Sequence, residues 1–103
     1  MNIFQNLFRT SEKTDLKIII EQGAFLVDVR TAAEFESGHV KGSVNIPLDR
    51  IPTQICQFKG RKNIVVFCLS GGRSGQAKSI LERNGIKGVI NGGGWRQVSQ
   101  FVK

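Results

Sequence analysis

A cysteine followed by a glycine-containing turn, Cys68-Leu69-Ser70-Gly71-Gly72-Arg73-Ser74, separates two stretches of different character. Residues 63–67 are almost entirely β-branched or aromatic, which predicts a buried strand. Residues 74–85 carry apolar side chains at helical spacing and end at Gly85, which predicts a helix and its stop. The sequence therefore predicts that Cys68 lies where a strand ends, a tight loop turns and a helix begins.

This position favours an ionised cysteine. A helix N-terminus offers unpaired N–H groups and the positive end of the helix dipole. Gly71 and Gly72 can adopt positive φ and turn successive amides inward, and the planar fork of Arg73 suits an oxyanion. Such donors lower the pKa of a thiol, so we interpret Cys68 as a nucleophile in an anion-binding loop. The alternative is a buried structural cysteine followed by a glycine turn.

The loop resembles the active-site loop of the rhodanese-like sulfurtransferases, because Cys68 to Arg73 has the form Cys-X4-Arg. Residues 28–47 are similar to the family signature D-V-R-x-x-x-E-F-x-x-G-H-I-x-G-A-x-N-I-P, and residues 89–95 resemble its last strand and glycine-rich turn before Trp. The resemblance spans about residues 24–103. It implies a single rhodanese-like domain over residues 1–103.

Helical and extended stretches alternate along the chain, which predicts an α/β fold. We expect a mainly parallel sheet of five strands, or of four, with helices on both faces. Strands are predicted at residues 24–29, 43–46, 63–67 and 87–91, and helices at 31–38, 49–58 with Pro52 in its first turn, 74–85, and from Trp95 onward.

The N-terminal region is predicted in two parts. Leu16, Ile19 and Ile20 indicate a helix that ends at Gly23 and is capped by Thr14 or Ser11. Residues 1–10 fit a short helix or an irregular flap over the core.

The cysteines and the single histidine do not form a metal-binding pattern. Cys56 and Cys68 lack the close spacing of zinc ligands, and two cysteines do not indicate a disulfide framework. We predict no bound metal, a core position for Cys56 and a structural role for His39. Cys56 would act as a resolving thiol only if it were exposed and close to Cys68.

Asp28 and Arg30 fall at the end of another predicted strand, on the same side of the sheet as the loop. The family resemblance implies that they organise the site without taking part in bond breaking; simple helix capping by Asp28 or its neighbours is the alternative. The spacing of Arg30 and Glu34 predicts an ion pair. We also expect Ser70 to hydrogen-bond the sulfur and Leu69 to form an apolar wall.

The formal net charge is +7, and it is unevenly distributed. Residues 1–57 carry six Lys/Arg and seven Asp/Glu, whereas residues 58–103 carry nine Lys/Arg and one Asp/Glu. The basic half contains the loop and would attract small anions. No nucleic-acid motif, membrane-length apolar run or secretory signal is present in the sequence, so we expect a cytoplasmic, monomeric protein.

The resemblance implies sulfur transfer without a cofactor. Cys68 would take a sulfane sulfur from thiosulfate or a similar anionic donor, and a thiol or cyanide would remove it. The donor would be bound by the loop residues Leu69, Ser70, Gly71, Gly72, Arg73 and Ser74.

Two other functions stay open. A phosphatase would use a similar cysteine loop, but those loops have five residues between Cys and Arg and this one has four. A persulfide carrier or partner-binding module would use the same fold without turnover.

Overall fold

The structure is a computed structural model that describes residues 15–103. Within this range, one four-stranded sheet is present, consisting of β1 (Phe25–Asp28), β2 (Val44–Asn45), β3 (Ile64–Cys68) and β4 (Val89–Gly94). The strand order is β2-β1-β3-β4, and all three pairings are parallel. The predicted α/β fold with a parallel sheet is confirmed, with four strands in the described part of the chain.

Helices cover both faces of the sheet, as predicted. Residues 15–21 are helical (α1), and the later helices are α2 (Ala32–Ser37), α3 (Gly72–Arg83) and α4 (Trp95–Ser99). One buried cluster joins β1 and β3 to α3, and a second joins the opposite side chains of the same strands to α1 and α4. Because β1 and β3 bury both faces, their sequences read as continuous apolar runs.

The predicted N-terminal helix is confirmed over its described part. Residues 15–21 are helical, Leu16 and Ile20 are buried, and Gly23 follows with φ of +94°. The predicted caps, Ser11 and Thr14, and the prediction for residues 1–10 lie outside the described residues.

The prediction of one α-helix over residues 49–58 is wrong. Two 3₁₀ helices, Leu48–Thr53 and Ile55–Phe58, occupy this region and meet at Gln54, whose φ of −120° is not helical. Pro52 lies inside the first of them and has no N–H to contribute to an α-helical ladder. The backbone therefore uses tighter bonds, such as Gln54 N–H to the Ile51 carbonyl at 3.0 Å.

The parallel arrangement brings the carboxyl ends of the strands to one edge of the sheet. Asp28 is paired with Phe67, and Cys68 is paired with Gly94. A bulge interrupts β4 here, because Val66 pairs with Asn91 whereas Phe67 pairs with Gly93. The chemistry predicted for Cys68 therefore lies beside the ends of β1 and β4.

None of the helices in the range 15–103 combines the length and the apolar character that a membrane span requires.

Candidate active site

Cys68 is the last residue of β3 and forms the floor of the loop. It is 1% exposed, whereas Leu69 at the rim is 54% exposed and Ser70 is also exposed. Helix α3 begins at Gly72, two residues earlier than predicted, so Gly71 is its N-cap. Gly71 has φ of 107°, which a residue with a side chain rarely adopts. Its N–H donates to Cys68 Sγ at 3.1 Å, so the turn directs this amide at the sulfur. Gly72 is already the first residue of α3 and does not take the positive φ expected of it.

The surroundings of Cys68 stabilise the thiolate. Burial alone raises the pKa of this thiol, but hydrogen bonds from the Ser74 side chain and from the backbone of Ser74, Gly71 and Ser70 outweigh it and lower the pKa to about 7. A larger share of this sulfur is therefore ionised at neutral pH than in a free cysteine, which suits a nucleophile.

The side chain next to the sulfur is that of Ser74, whereas Ser70, which we expected to hydrogen-bond the sulfur, contributes through its backbone. Ser74 is fully buried, and its Oγ lies 3.5 Å from Cys68 Sγ. The reason lies in the early start of α3: Ser74 occupies the first turn and faces the strand end, whereas Ser70 lies on the exposed rim.

Asn91 is a site residue that the sequence analysis missed. Its Oδ1 accepts from Ser74 Oγ at 2.6 Å and from Gly93 N–H at 3.0 Å, and its Nδ2 donates to the Gly71 carbonyl at 3.1 Å. The signal in the sequence was a polar side chain between an apolar strand and three glycines. Asn91 therefore links β4 to Gly71 in the loop and to Ser74 in the first turn of α3.

Arg73 is bound to a carboxylate. Its NH1 and NH2 donate to Glu34 Oε1 and Oε2 at 2.7 and 3.0 Å, in a bidentate pair whose side chains are both about one-third exposed (34% and 33%). The hydrogen bond from Arg73 lowers the pKa of Glu34 to about 2, and the same bond raises the pKa of Arg73. The Arg73 fork thus links the loop to α2, and its remaining N–H groups are those able to face an anion.

The predicted pair between Arg30 and Glu34 is wrong. Arg30 instead donates from Nε and NH2 to the Asp28 carboxylate at 2.7–3.0 Å, and NH2 also donates to the Gly38 carbonyl at 2.7 Å. Both members of this pair are buried, and the Arg30 guanidinium stacks over Trp95 at 4.7 Å. The pair fixes the turn from β1 into α2. The helix cap is Thr31, which accepts from the Glu34 N–H, and Asp28 is not the cap.

Two further residues with reactive side chains, Cys56 and His39, are exposed. Cys56 is exposed, so its predicted core position is wrong; Ile51 and Phe58 are the residues that the two 3₁₀ helices bury. His39 is exposed, stacks on Phe35 at 3.9 Å between ring centres, and bonds the Phe35 carbonyl at 2.8 Å through Nδ1. Across residues 15–103, no three His, Cys, Asp or Glu side chains are grouped as metal ligands would be.

The loop geometry and the fold agree with a match to the family model described as Rhodanese-like domain, which covers residues 12–100. The chain belongs to the rhodanese-like domain family. A solved structure of a rhodanese with anions from E. coli aligns with a TM-score of 0.66 and 36% identity, covering 73% of this chain and 91% of that one.

Relatives of this rhodanese-like chain include proteins named for two activities. Thiosulfate sulfurtransferase PspE of Escherichia coli is 37% identical over 75 residues, which are 71% of this chain and 72% of that protein. Putative sulfur carrier protein YrkF of Bacillus subtilis is 32% identical over 75 residues, which are 73% of this chain and 40% of that protein.

Proposed function

We propose that this chain is a thiosulfate sulfurtransferase in which Cys68 carries the transferred sulfur as a persulfide. The observation that carries the proposal is the bond from Gly71 N–H to Cys68 Sγ at 3.1 Å, in a loop that lowers the pKa of the thiol to about 7. The name of the Escherichia coli relative supports thiosulfate as the donor.

The proposed first half-reaction forms one sulfur–sulfur bond and breaks another. The Cys68 thiolate attacks the outer sulfur of thiosulfate, and the electron pair of the broken bond leaves with sulfite. The loop from Leu69 to Ser74 binds the donor with its N–H groups, and Arg73 stabilises the departing charge with N–H groups not used by Glu34. The product is a Cys68 persulfide.

The proposed second half-reaction regenerates the thiolate. An acceptor thiolate, or cyanide in an assay, attacks the outer sulfur of the persulfide, and the bonding pair returns to Cys68 Sγ. Because the protein alternates between two covalent states, we expect ping-pong kinetics.

Intact mass spectrometry after thiosulfate treatment tests the proposal. The wild-type protein is expected to gain one sulfur atom, and Cys68→Ser is expected to gain none. Cys56→Ser is the matched control, because this second cysteine is exposed and lies in a different element. Sulfur gain in Cys68→Ser, or no gain in the wild-type protein, would overturn the proposal.

A persulfide carrier without turnover is the second candidate, and the Bacillus subtilis relative named as a putative sulfur carrier favours it. Steady-state release of sulfite and thiocyanate in the presence of cyanide separates the two functions. A carrier would gain one sulfur and then stop, whereas a transferase would turn over many times. Hydrolysis of an aryl phosphate that depends on Cys68, without sulfur gain, would instead indicate a phosphatase.

A further inference from the structure

The hydrogen bonds around Asn91 fix the orientation of its side-chain amide. Oδ1 faces the N–H of Gly93, which can only donate, and Nδ2 faces the carbonyl of Gly71, which can only accept. Exchanging the two amide atoms would break both bonds, so the backbone settles the assignment. Asn91 Oδ1 is therefore an acceptor at 2.6 Å from Ser74 Oγ.

This orientation determines where the Ser74 proton lies. A serine hydroxyl has one proton, and Asn91 Oδ1 has none to offer, so the proton lies between Ser74 Oγ and Asn91 Oδ1. Ser74 Oγ then presents only lone pairs to Cys68 Sγ at 3.5 Å. The arrangement suits a neutral sulfur, which donates its own S–H to Oγ.

Ionisation of Cys68 reverses this requirement. A thiolate has no proton to donate and needs a donor, and the Ser74 hydroxyl becomes one only by rotating away from Asn91. Asn91 Oδ1 keeps the Gly93 N–H as a partner at 3.0 Å after the hydroxyl leaves, so the rotation does not leave a buried acceptor unpaired.

We propose that Asn91 is a positioning residue that competes with the Cys68 thiolate for the single proton of Ser74. The hydroxyl points to Asn91 when the sulfur is neutral and to the sulfur when it is ionised. By favouring the neutral state, Asn91 keeps the thiolate more basic and hence more nucleophilic than an uncontested hydroxyl would.

The competition also acts within the catalytic cycle, which rests on the proposed function. A persulfide bears its charge on the outer sulfur, so Sγ is neutral in that state and the hydroxyl returns to Asn91. The hydroxyl would thus reverse in each half-reaction.

The charged groups around the site make contacts of their own, and all of them are left unchanged in the variants. Arg73 at the start of α3 binds Glu34 of α2, and Arg30 binds Asp28 at the end of β1. From α4, Arg96 stacks over Trp95 at 4.8 Å. Strand β4, which carries Asn91, has no charged side chain.

A double-mutant cycle measures the competition directly. The thiol pKa is obtained from the pH dependence of alkylation by iodoacetamide in the wild-type protein, Ser74→Ala, Asn91→Ala and the double variant. Asn91→Ala removes the bond to Gly71 whether or not Ser74 is present, so this loss cancels when the two pKa changes are compared. The difference between them reports only the effect of Asn91 that acts through Ser74. We expect Asn91→Ala to lower the thiol pKa when Ser74 is present, by ~0.5–1 unit more than it does when Ser74 is absent.

Equal shifts in the two backgrounds, or a higher pKa from Asn91→Ala only when Ser74 is present, would overturn the proposal. Iodoacetamide is neutral and no sulfur donor is needed. The proposed sulfur transfer can therefore fail while the competition is confirmed, and the reverse also holds.

A second measurement needs no Asn91 variant and applies if those variants do not fold. In a pH titration followed by NMR, the Gly93 amide and the Asn91 side-chain amide are expected to shift with the midpoint of Cys68, and less so in Ser74→Ala. The side-chain amide of Asn84, which donates to the Ile80 carbonyl at 2.8 Å, is the matched control and should not follow Cys68. Equal amplitudes at Gly93 with and without the hydroxyl would contradict the competition.

Discussion

Arg30 and Arg73 each bind a carboxylate, in surroundings of different polarity. The Asp28–Arg30 pair is buried, and loss of one partner from such a pair typically costs ~3–5 kcal/mol because a buried charge is left alone. The Glu34–Arg73 pair is partly exposed, so solvent screens it and its contribution to stability is smaller. At the scale of residues, the first pair supports the β1–α2 turn, and the second connects the cysteine loop to α2.

The Glu34–Arg73 pair predicts a specific response to acid. The pKa of Glu34 is lowered to about 2 in the folded protein, below its value in the unfolded chain of ~4.3. The pair therefore stabilises the fold above ~pH 4.3, and this contribution is lost as the pH falls toward 2. In urea unfolding between ~pH 5 and ~pH 2, a range that brackets this window, we expect the midpoint of Glu34→Gln to fall less steeply than that of the wild-type protein.

Glu36→Gln is the matched control for this experiment. Glu36 lies on the same helix, is exposed, and makes no ion pair with any residue from 15 to 103. We expect its acid response to follow that of the wild-type protein. Parallel curves for Glu34→Gln and the wild-type protein would show that the pair does not contribute to acid sensitivity.

At the scale of elements, the end of β4 approaches both the core and the loop. A Cβ at Gly94 would lie 2.9 Å from the Leu69 carbonyl oxygen, which belongs to the loop. A Cβ at Gly92 would lie 2.8 Å from a methyl group of Val65 and 2.9 Å from one of Val98, in the core. Gly94 therefore lies against the cysteine loop, whereas Gly92 is packed in the core.

Alanine substitutions at these glycines should separate activity from stability. Gly94→Ala is expected to slow sulfur loading of Cys68 in a folded protein, because the Leu69 carbonyl and the loop must move. Gly92→Ala is expected to lower the free energy of unfolding by ~1–3 kcal/mol through overpacking. Urea unfolding and mass spectrometry of the loading rate measure the two effects.

Gly72→Ala is the control for the stability effect of Gly92→Ala. Gly72 lies in the first turn of α3, and a Cβ there would meet no atom within 4 Å. We expect it not to lower the free energy of unfolding, because it introduces no close contact and alanine is the better helix former. An equal loss of stability in Gly72→Ala and Gly92→Ala would contradict the overpacking assigned to Gly92, and sulfur loading of Gly94→Ala at the wild-type rate would contradict the role of its contact with Leu69.

Local sequence patterns predicted the strand and the helix on either side of the cysteine loop. The side-chain pairs and the role of Asn91 depend on tertiary packing and could not be predicted in this way. Strand β3 and helix α3 follow from an apolar run and a helical stripe, so both could be predicted. The predicted Arg30–Glu34 pair failed because α2 begins only at Ala32, so Arg30 lies outside the helix and the four-residue spacing does not apply. The role of Asn91 depends on β4 lying beside the loop, which spacing in the sequence does not encode.

At the scale of the whole molecule, the charge near the site is mostly balanced within pairs, whereas the chain as a whole is strongly basic. Arg30 and Arg73 each face a carboxylate, yet the formal net charge is +7. Attraction of a dianionic donor would then come from the summed field of the basic half of the chain, residues 58–103, more than from one unpaired cation.

This field predicts that sulfur loading depends on salt. The screening length falls from ~30 Å at ~0.01 M salt to ~8 Å at ~0.15 M, so distant charges cease to act on the donor. We expect the rate of sulfur gain from thiosulfate to decrease over this range, whereas alkylation of Cys68 by neutral iodoacetamide, measured well above the thiol pKa, should remain constant. An equal salt dependence of the two rates would show that salt changes the reactivity of the Cys68 sulfur and not the attraction of the donor. A thiosulfate rate that does not change with salt would show that donor capture relies on the loop alone.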